Sequence, residues 1–581
     1  MHWFPLIEQL QNYRREDWVS DLTAGVITAV LLIPQGMAYA MLAGLPPQTG
    51  LYASVAPPIL YALLGTSRTL AVGPVSVAAI MVASVLSAPE FAGGGDYLTN
   101  AVVLAAECGL ILLVLGTLRA GVLVNFISHP VLSGFTTGAA VLIMVSQLRH
   151  LTGIQLESGL TPATTVWQSL TSLSSVNLAT VMLAALSLLA LYGMGRPLTR
   201  YLVKREWAPA SITAISKSAP LMVVALGTFT VLLFALNDRY GVAVVGAIPS
   251  GLPQPSLGFL SADTWFALLP SAALIALIGY VESVSVAKFL ANRERNRIDP
   301  DRELVALGAA NLGSALSGTM PVAGGFSRTM VNHAAGAKTQ VAALITAVLV
   351  GLAVMFLTPL FTYMPQAALA AIIVIAVSSL IDVGTIKHAW HYDRADALAL
   401  MVTLVGVLVF GIEHGLLLGI AISLAAFLWR AGHPHIAVVG RVPGTEHYRN
   451  INRHQVCTWD TILLMRVDES LYFANAGVVE DVVMDELRQR PDVEHVVLIC
   501  SAVNFIDASA EDMLERLRDS LAGNGMTLHL AEVKGPVMDR LERIDFYARL
   551  RPGQVFLSTD QAVHALVASS PDVSQHGSSQ V

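Results

Sequence analysis

The stretches "LSGTMPVAGGFSRTMVNHAAG", residues 316–336, and "RTLAVGPVSVAAIMVASVL", residues 68–86, interrupt an apolar chain in corresponding places of its two halves. Each has an extended lead-in punctuated by Gly and Pro, followed by an apolar run too short to cross a bilayer, which takes about 20 helical residues. Irregular backbone is tolerated at membrane depth only where it lines a cavity or is buried in protein. Either stretch alone reads as a full-length helix kinked at Gly73, Pro74 or Gly324, since Gly and Pro are common in membrane helices. The matched pair points instead to two half-helices at the centre of an inverted repeat, the arrangement that builds a substrate site at the bilayer midplane.

Two such half-helices meet N-terminus to N-terminus. Each brings unsatisfied backbone N–H groups and a partial charge of about +0.5, so the backbone at Gly73, Pro74, Gly324, Gly325 and Phe326 forms an anion-attracting gap. Arg328, in the first turn of the second half-helix beside Ser327, opposes the helix dipole. A cation there makes sense when an anion lies next to it; snorkelling to an interface is the plainer alternative.

Composition agrees with a membrane setting. Of 581 residues, 54% are hydrophobic and 13% charged, with a mean hydropathy of +0.63; a soluble domain is about 25% charged. Residues 1–440 carry 41 charged side chains and the last 141 carry 34, the latter as 13 Lys+Arg against 21 Asp+Glu, a net charge of −8. The expected organisation is a cytoplasmic N-terminal segment (1–20), an all-α polytopic domain (21–431), a linker (432–452), a cytoplasmic α/β domain (453–569) and a disordered tail (570–581). Fourteen candidate spans run from near Asp21 to near Arg430. Arg14 and Arg15, Lys204 and Arg205, and Lys288 to Arg302 all fall on the cytoplasmic side if the N-terminus does. Both termini are then cytoplasmic, in a cell inner (plasma) membrane.

Cys108, Cys457 and Cys500 have no metal-ligand spacing and read as reduced packing residues. No pattern suggests a metal, a nucleotide, a cofactor or nucleophilic chemistry, so no enzyme is expected. Pro34 is expected to break the first span, with Gln35 and Tyr39 one turn apart on a face turned inward. Ionisable groups inside spans cost about 3 kcal/mol each. Glu282 therefore reads as the ion-pair partner of Arg328, as a proton carrier, or as both. Glu107 has no evident partner. Asn125, His129 and His333 read as satisfied structural groups, and Glu413 and His414 as boundary residues. The C-terminal part alternates strands ("TILLMRVD", "EHVVLIC", "MTLHLAEV") with helices near 476–489 and 509–522. Ser509 is expected to cap the second helix.

"PQGMAYAMLAGLPPQTGLYAS", "LGTSRTLAVGPVS" and "AGGFSRTMVNHAAGAKTQ" resemble the SulP family, the bacterial and plant relatives of the vertebrate solute-carrier-26 anion exchangers. "SAVNFIDASAEDMLERL" resembles their STAS domain. The resemblance implies a seven-plus-seven inverted repeat of fourteen segments with UraA-like core and gate domains, elevator-type alternating access and a homodimer. It assigns anion binding to Gln35, Tyr39, Val75, Ser327 and Arg328, and proton coupling to Glu282, whose "ESVSVAK" setting is similar to that of proton-coupled plant sulfate carriers. Gly325 stands where those carriers usually have serine. Ser509 matches the serine phosphorylated in related anti-sigma antagonists, though Ala508 interrupts the motif.

The expected function is secondary active sulfate uptake coupled to protons, with deprotonated Glu282 holding Arg328 until a proton releases it. Partners are a small inorganic anion, the proton, membrane lipid, a second copy of the chain and a cytoplasmic protein on the STAS domain, with no nucleic acid. Sodium-coupled bicarbonate transport, with Ser283 and Ser285 as candidate ligands, and chloride or dicarboxylate transport are the alternatives on the same scaffold. A membrane-anchored STAS signalling protein is the rival from another class.

Overall fold

The computed structural model describes the chain except residues 1–4, 12, 89–90, 92–96, 123–127, 155–163, 165–166, 169–170, 173–174, 208–214, 216–217, 256, 262, 570–574 and 578–581. The chain divides into two compact units, Met1–Ser423 and Leu424–Val581. Asn125 lies outside the described residues.

The first unit is helical. Its principal segments in the first half are α1 (Arg15–Leu42), α2 (Ala56–Leu64), β1 (Val72–Gly73), α3 (Ser76–Leu86), α4 (Tyr97–Thr117), α5 (His129–Ser146), α6 (Leu178–Met194) and α7 (Ala219–Phe234). The second half has α8 (Trp265–Arg293), α9 (Pro300–Leu316), β2 (Ala323–Gly324), α10 (Phe326–Ala334), α11 (Val341–Phe356), α12 (Gln366–Ser378), α13 (Arg394–Phe410) and α14 (Ile412–Gly432), the last running on into the second unit. Seven helical stretches among the described residues are long and apolar enough to span a bilayer, three of them counting the short helix that follows α5, α6 or α12; α3 and α10, with 11 and 9 residues, are not.

The packing partners repeat with the halves exchanged. α1 lies on α11 as α8 lies on α4, and α5 lies on α13 as α12 lies on α6. β1 and β2 pair antiparallel, Val72 with Gly324 and Gly73 with Ala323, which is how equivalent segments of an inverted repeat must meet. α3 and α10 start a few residues beyond this pair.

Two sequence expectations are corrected here. α1 begins at Arg15 and continues unbroken through Pro34, because neighbouring helices in a membrane bundle can re-satisfy the carbonyl that a proline frees. What the "PQGMAYAMLAGLPPQTG" motif does build is a close crossing: a Cβ on Gly50 would lie 1.9 Å from Gly36 O, so the helix Pro47–Tyr52 touches α1 backbone to backbone.

Two buried carboxylates fasten the loops around the half-helices. Glu303, 0% exposed, accepts from Tyr61 Oη (2.6 Å), Thr66 N (2.7 Å), Thr66 Oγ1 (2.6 Å) and Ser67 N (3.1 Å). Asp21, also 0% exposed, accepts from Lys338 N (2.6 Å), Thr339 N (3.1 Å), Thr339 Oγ1 (2.6 Å) and Tyr13 Oη (2.9 Å). Each charge is compensated by several donors, which is what makes its burial tolerable.

The second unit is an α/β domain. Its strands are β3 (Ile436–Arg441), β4 (Tyr448–Asn450), β5 (Cys457–Trp459), β6 (Ile462–Val467), β7 (His495–Ile499), β8 (Thr527–Ala531), β9 (Val555–Phe556) and β10 (Gln575–Gly577). They form one sheet in the order β10-β5-β3-β6-β7-β8-β9, with β4 against β3 and β6 to β9 parallel. α15 (Ala476–Arg488) and α16 (Ala508–Gly523) cover one face, and α18 (Thr559–Ser569), which follows α17 (Gly535–Glu542), covers the other.

The expected linker 432–452 therefore contains an inner strand, β3, whose "IAVVGR" run is too short and too close to the last span to stand out from it. Of the expected disordered tail, Gln575–Gly577 pairs with β5. The cap of α16 is Asp507, whose carboxylate accepts from Ala510 N at 2.9 Å; Ser509 is the exposed second residue of the helix. An aspartate in position to reach the free N–H groups takes the role expected of the serine.

Candidate anion site

The site is built where the two half-helices converge. The lead-in of α3 is tied down residue by residue: Asn332 Nδ2 donates to Thr69 O (2.9 Å), Gln340 Nε2 to Ser67 O (2.6 Å) and Leu70 O (3.1 Å), and Ala71 N to Thr329 Oγ1 (3.1 Å). The lead-in of α10 is held by Asn311, which bonds both polar groups of Val322 (2.9 and 3.0 Å), and by Ser283 Oγ, which accepts from Gly324 N at 2.8 Å and donates to Gly279 O. Extended backbone buried in a helical bundle must find its partners this way, and nearly all of them come from the opposite half of the chain or from α8 and α9.

Val75 and Gly325 stand immediately before α3 and α10, both in extended backbone. The first turn of each helix leaves N–H groups with no intrahelical acceptor. A narrow cleft of about 30 Å³ opens there, lined by Gln35, Tyr39, Pro74, Val75, Ser76, Glu282, Gly325, Phe326, Ser327, Arg328, Ala376, Ser379 and Leu380. Among the expected site residues, Gly73 and Gly324 lie in the β pair just behind it. Gly73 has a φ of +155°, and a Cβ on it would come within 3.3 Å of Arg328 Nη2; the missing side chain makes room for the guanidinium.

Arg328 is 2% exposed. Its Nε and Nη2 donate to Ala71 O (both 3.2 Å) and its Nη1 to Pro74 O (3.0 Å). The arginine's hydrogen bonds go to carbonyls of the opposite half-helix lead-in, and Glu282 lines the same cleft with its Oε2 buried and without a hydrogen-bond partner. A guanidinium has five N–H donors; three are used, which leaves one on each terminal nitrogen. Gln35 Nε2 donates to Tyr39 Oη at 2.7 Å, one turn apart as the spacing implies, and Gln35 Oε1 is unpartnered. Ser327 and Phe326 are exposed to the cleft side.

The cleft also holds residues that sequence reasoning missed. Ser76 follows Val75 directly and was within reach of the half-helix argument. Ala376, Ser379 and Leu380 come from α12 and the turn after it, and "AVSSLID" has no signature of a site. Glu107 lies in α4 away from the cleft, buried, with neither carboxylate oxygen hydrogen-bonded. His333 Nδ1 sits 3.1 Å from Glu294 Oε1, a structural contact at the far end of α10. Ser283 is engaged with two backbone groups, donating to Gly279 O and accepting from Gly324 N. Among the described residues no cluster of His, Cys, Asp or Glu has the makings of a metal site.

An inverted repeat whose half-helices meet at a cationic cleft defines a membrane transporter, and a sheet-and-helix unit follows it. Residues 19–403 match the sulfate permease family and residues 454–562 the STAS domain; the chain belongs to that family and is not an enzyme. It is 35% identical over 576 residues to a probable sulfate transporter 4.2 of Arabidopsis thaliana, covering 97% of this chain and 83% of the relative. It is 36% identical over 566 residues to a probable sulfate transporter of Mycobacterium tuberculosis, covering 97% and 98%. In fold it is similar to the murine solute carrier 26 member A9 anion transporter in the inward-facing state, with a TM-score of 0.87, 22% identity and 97% and 94% coverage. The transmembrane domain of the cyanobacterial bicarbonate transporter BicA matches with a TM-score of 0.58, 23% identity and 71% and 98% coverage.

Proposed function

We propose that the protein imports sulfate together with protons, as a homodimer in the inner membrane with both termini cytoplasmic. The observation that carries this reading is the cleft itself: one fixed cation with two N–H donors to spare, two helix N-termini, and one carboxylate with an unpartnered oxygen. Gln35, Tyr39 and Ser327 donate hydrogen bonds, Arg328 and the backbone beside Val75 and Gly325 supply positive charge, and Glu282 couples the proton. The names of the relatives support sulfate as the anion.

The coupling differs in form from a simple arginine release. Arg328 is fixed by Ala71 O and Pro74 O, so what changes is the charge it faces. An ionised Glu282 and a dianion in one narrow cleft repel each other. Protonation of Glu282 from the acidic side removes that repulsion and admits sulfate; loss of the proton on the other side expels it. An elevator would move α1–α4 with α8–α11, which carry the half-helices, against α5–α7 with α12–α14, which bring Ser379 and Leu380 to the cleft. Competition of sulfate, bicarbonate, chloride and dicarboxylates against radiolabelled sulfate in proteoliposomes tests the substrate. Displacement by a selenate-like tetrahedral dianion but not by chloride or a dicarboxylate is the expected result; preferential displacement by bicarbonate or chloride overturns it.

A further inference from the structure

α6, Leu178–Met194, is 17 residues long, a length of about 25 Å that uses up most of the hydrocarbon thickness. The backbone then breaks at Gly195 (φ −75°, ψ −121°), and a separate helix runs from Arg196 to Lys204. This helix cannot continue into the hydrocarbon. Arg200 and Lys204, one turn apart, and Arg205 just after it are all exposed, and each would cost about 3 kcal/mol in the bilayer centre.

Its other residues are no better suited to open water. Leu202 is buried against the protein at 6% exposure, yet Tyr201, Val203 and Trp207 are 54%, 58% and 50% exposed. The Arg205 guanidinium lies over the Tyr201 ring, 5.4 Å from its centroid. Exposed aromatics interleaved with cations on a short helix leaving a span belong to the headgroup region, where the rings sit at the apolar boundary and the cations meet phosphate.

We infer that the helix Arg196–Lys204 with Arg205–Trp207 is an interfacial element that binds anionic phospholipid headgroups and so moors α6 to the leaflet it leaves. The charge is one-sided: among the described side chains of this element, three exposed basic ones, Arg200, Lys204 and Arg205, stand against one acidic residue, Glu206. Each basic residue held at an anionic surface strengthens binding by roughly fivefold, and the attraction falls with salt.

Full-length protein reconstituted with spin-labelled phosphatidylglycerol or spin-labelled phosphatidylcholine tests this through the fraction of label immobilised by the protein. Wild type is expected to prefer phosphatidylglycerol several-fold at low salt. The preference should fall toward parity in R200Q/K204Q/R205Q and stay near the wild-type value in the charge-conserving R200K/K204R/R205K. If the triple glutamine variant does not fold, each single substitution is expected to lower the preference by part of the total. Equal immobilisation of both lipids by wild type, or a preference that survives removal of the three charges, overturns the inference. A preference lost equally in the charge-conserving variant overturns it as well, since charge would not be the cause.

Discussion

Arg328 Nη1 donates to Pro74 O over 3.0 Å, so the cation on one half-helix is held by the lead-in of the other. The two halves of the site are thereby one object. Replacing Arg328 with Ala takes the guanidinium from both carbonyls: Ala71 O keeps the Gly325 N–H at 3.3 Å, while the buried Pro74 O loses its side-chain donor, at about 1–3 kcal/mol. Lower thermal stability in detergent and loss of sulfate uptake are expected together. Arg328→Lys retains the charge but not the planar fork, so it should keep most of the stability and little of the uptake.

Gly73 faces the same guanidinium. A methyl at this position meets Arg328 Nη2 at 3.3 Å, and overpacking of this kind costs about 1–3 kcal/mol. Gly73→Ala should weaken sulfate binding at least several-fold in equilibrium measurements on purified protein while the chain still folds. Gly50→Ala, whose Cβ would fall 1.9 Å from Gly36 O, should prevent stable folding altogether.

Glu303 reaches the site only through backbone. It holds Thr66 and Ser67, which begin the lead-in to β1, by three of its four hydrogen bonds. In Glu303→Gln one acceptor becomes a donor opposite N–H and O–H groups that also donate, so a destabilisation of about 1–3 kcal/mol is expected. The melting temperature of the detergent-solubilised protein reads it, and Tyr61→Phe, which removes only one donor, should cost less.

Nine of the thirteen residues lining the cleft were legible in the sequence, and the residues that hold them were not. The Gly-Pro at 73–74 and the glycine pair at 324–325 marked the half-helices because the same interruption falls in corresponding places of the two halves. Gln35 and Tyr39 were placed on one face by helical spacing and indeed bond to each other. Sequence placed Glu282 and Arg328 in one cleft but missed what holds the arginine, because it offers only side chains as partners, whereas the fold gives Arg328 two carbonyls from residues over 250 positions away. The same blindness hid Ser379, which is brought in by the packing of α12, and Asp507, which outcompetes Ser509 as a cap. Residues 436–441 read as linker because a strand of "IAVVGR" directly after a span has the span's own composition.

In the STAS unit, His529 is almost wholly buried, and its Nε2 lies 3.3 Å from His495 Nδ1. Burial, and then the neighbouring His495, lower its pKa to about 4. A histidine depressed in the folded state contributes stability above its unfolded value near 6.5, and that contribution is lost as pH falls toward 4. Hydrogen exchange of the β8 amides, corrected for the intrinsic pH dependence, should therefore show protection falling between about pH 6.5 and pH 4. His529→Gln should flatten that dependence.

The central claim is that Glu282 couples a proton to anion entry at the Arg328 cleft. Radiolabelled sulfate uptake into proteoliposomes, with and without an imposed inward proton gradient, measures it most directly. Wild type should accumulate sulfate several-fold faster with the gradient, and Glu282→Gln should transport at a rate indifferent to it. Wild-type uptake that ignores the gradient, or a Glu282→Gln variant that keeps the full pH response, would contradict the account.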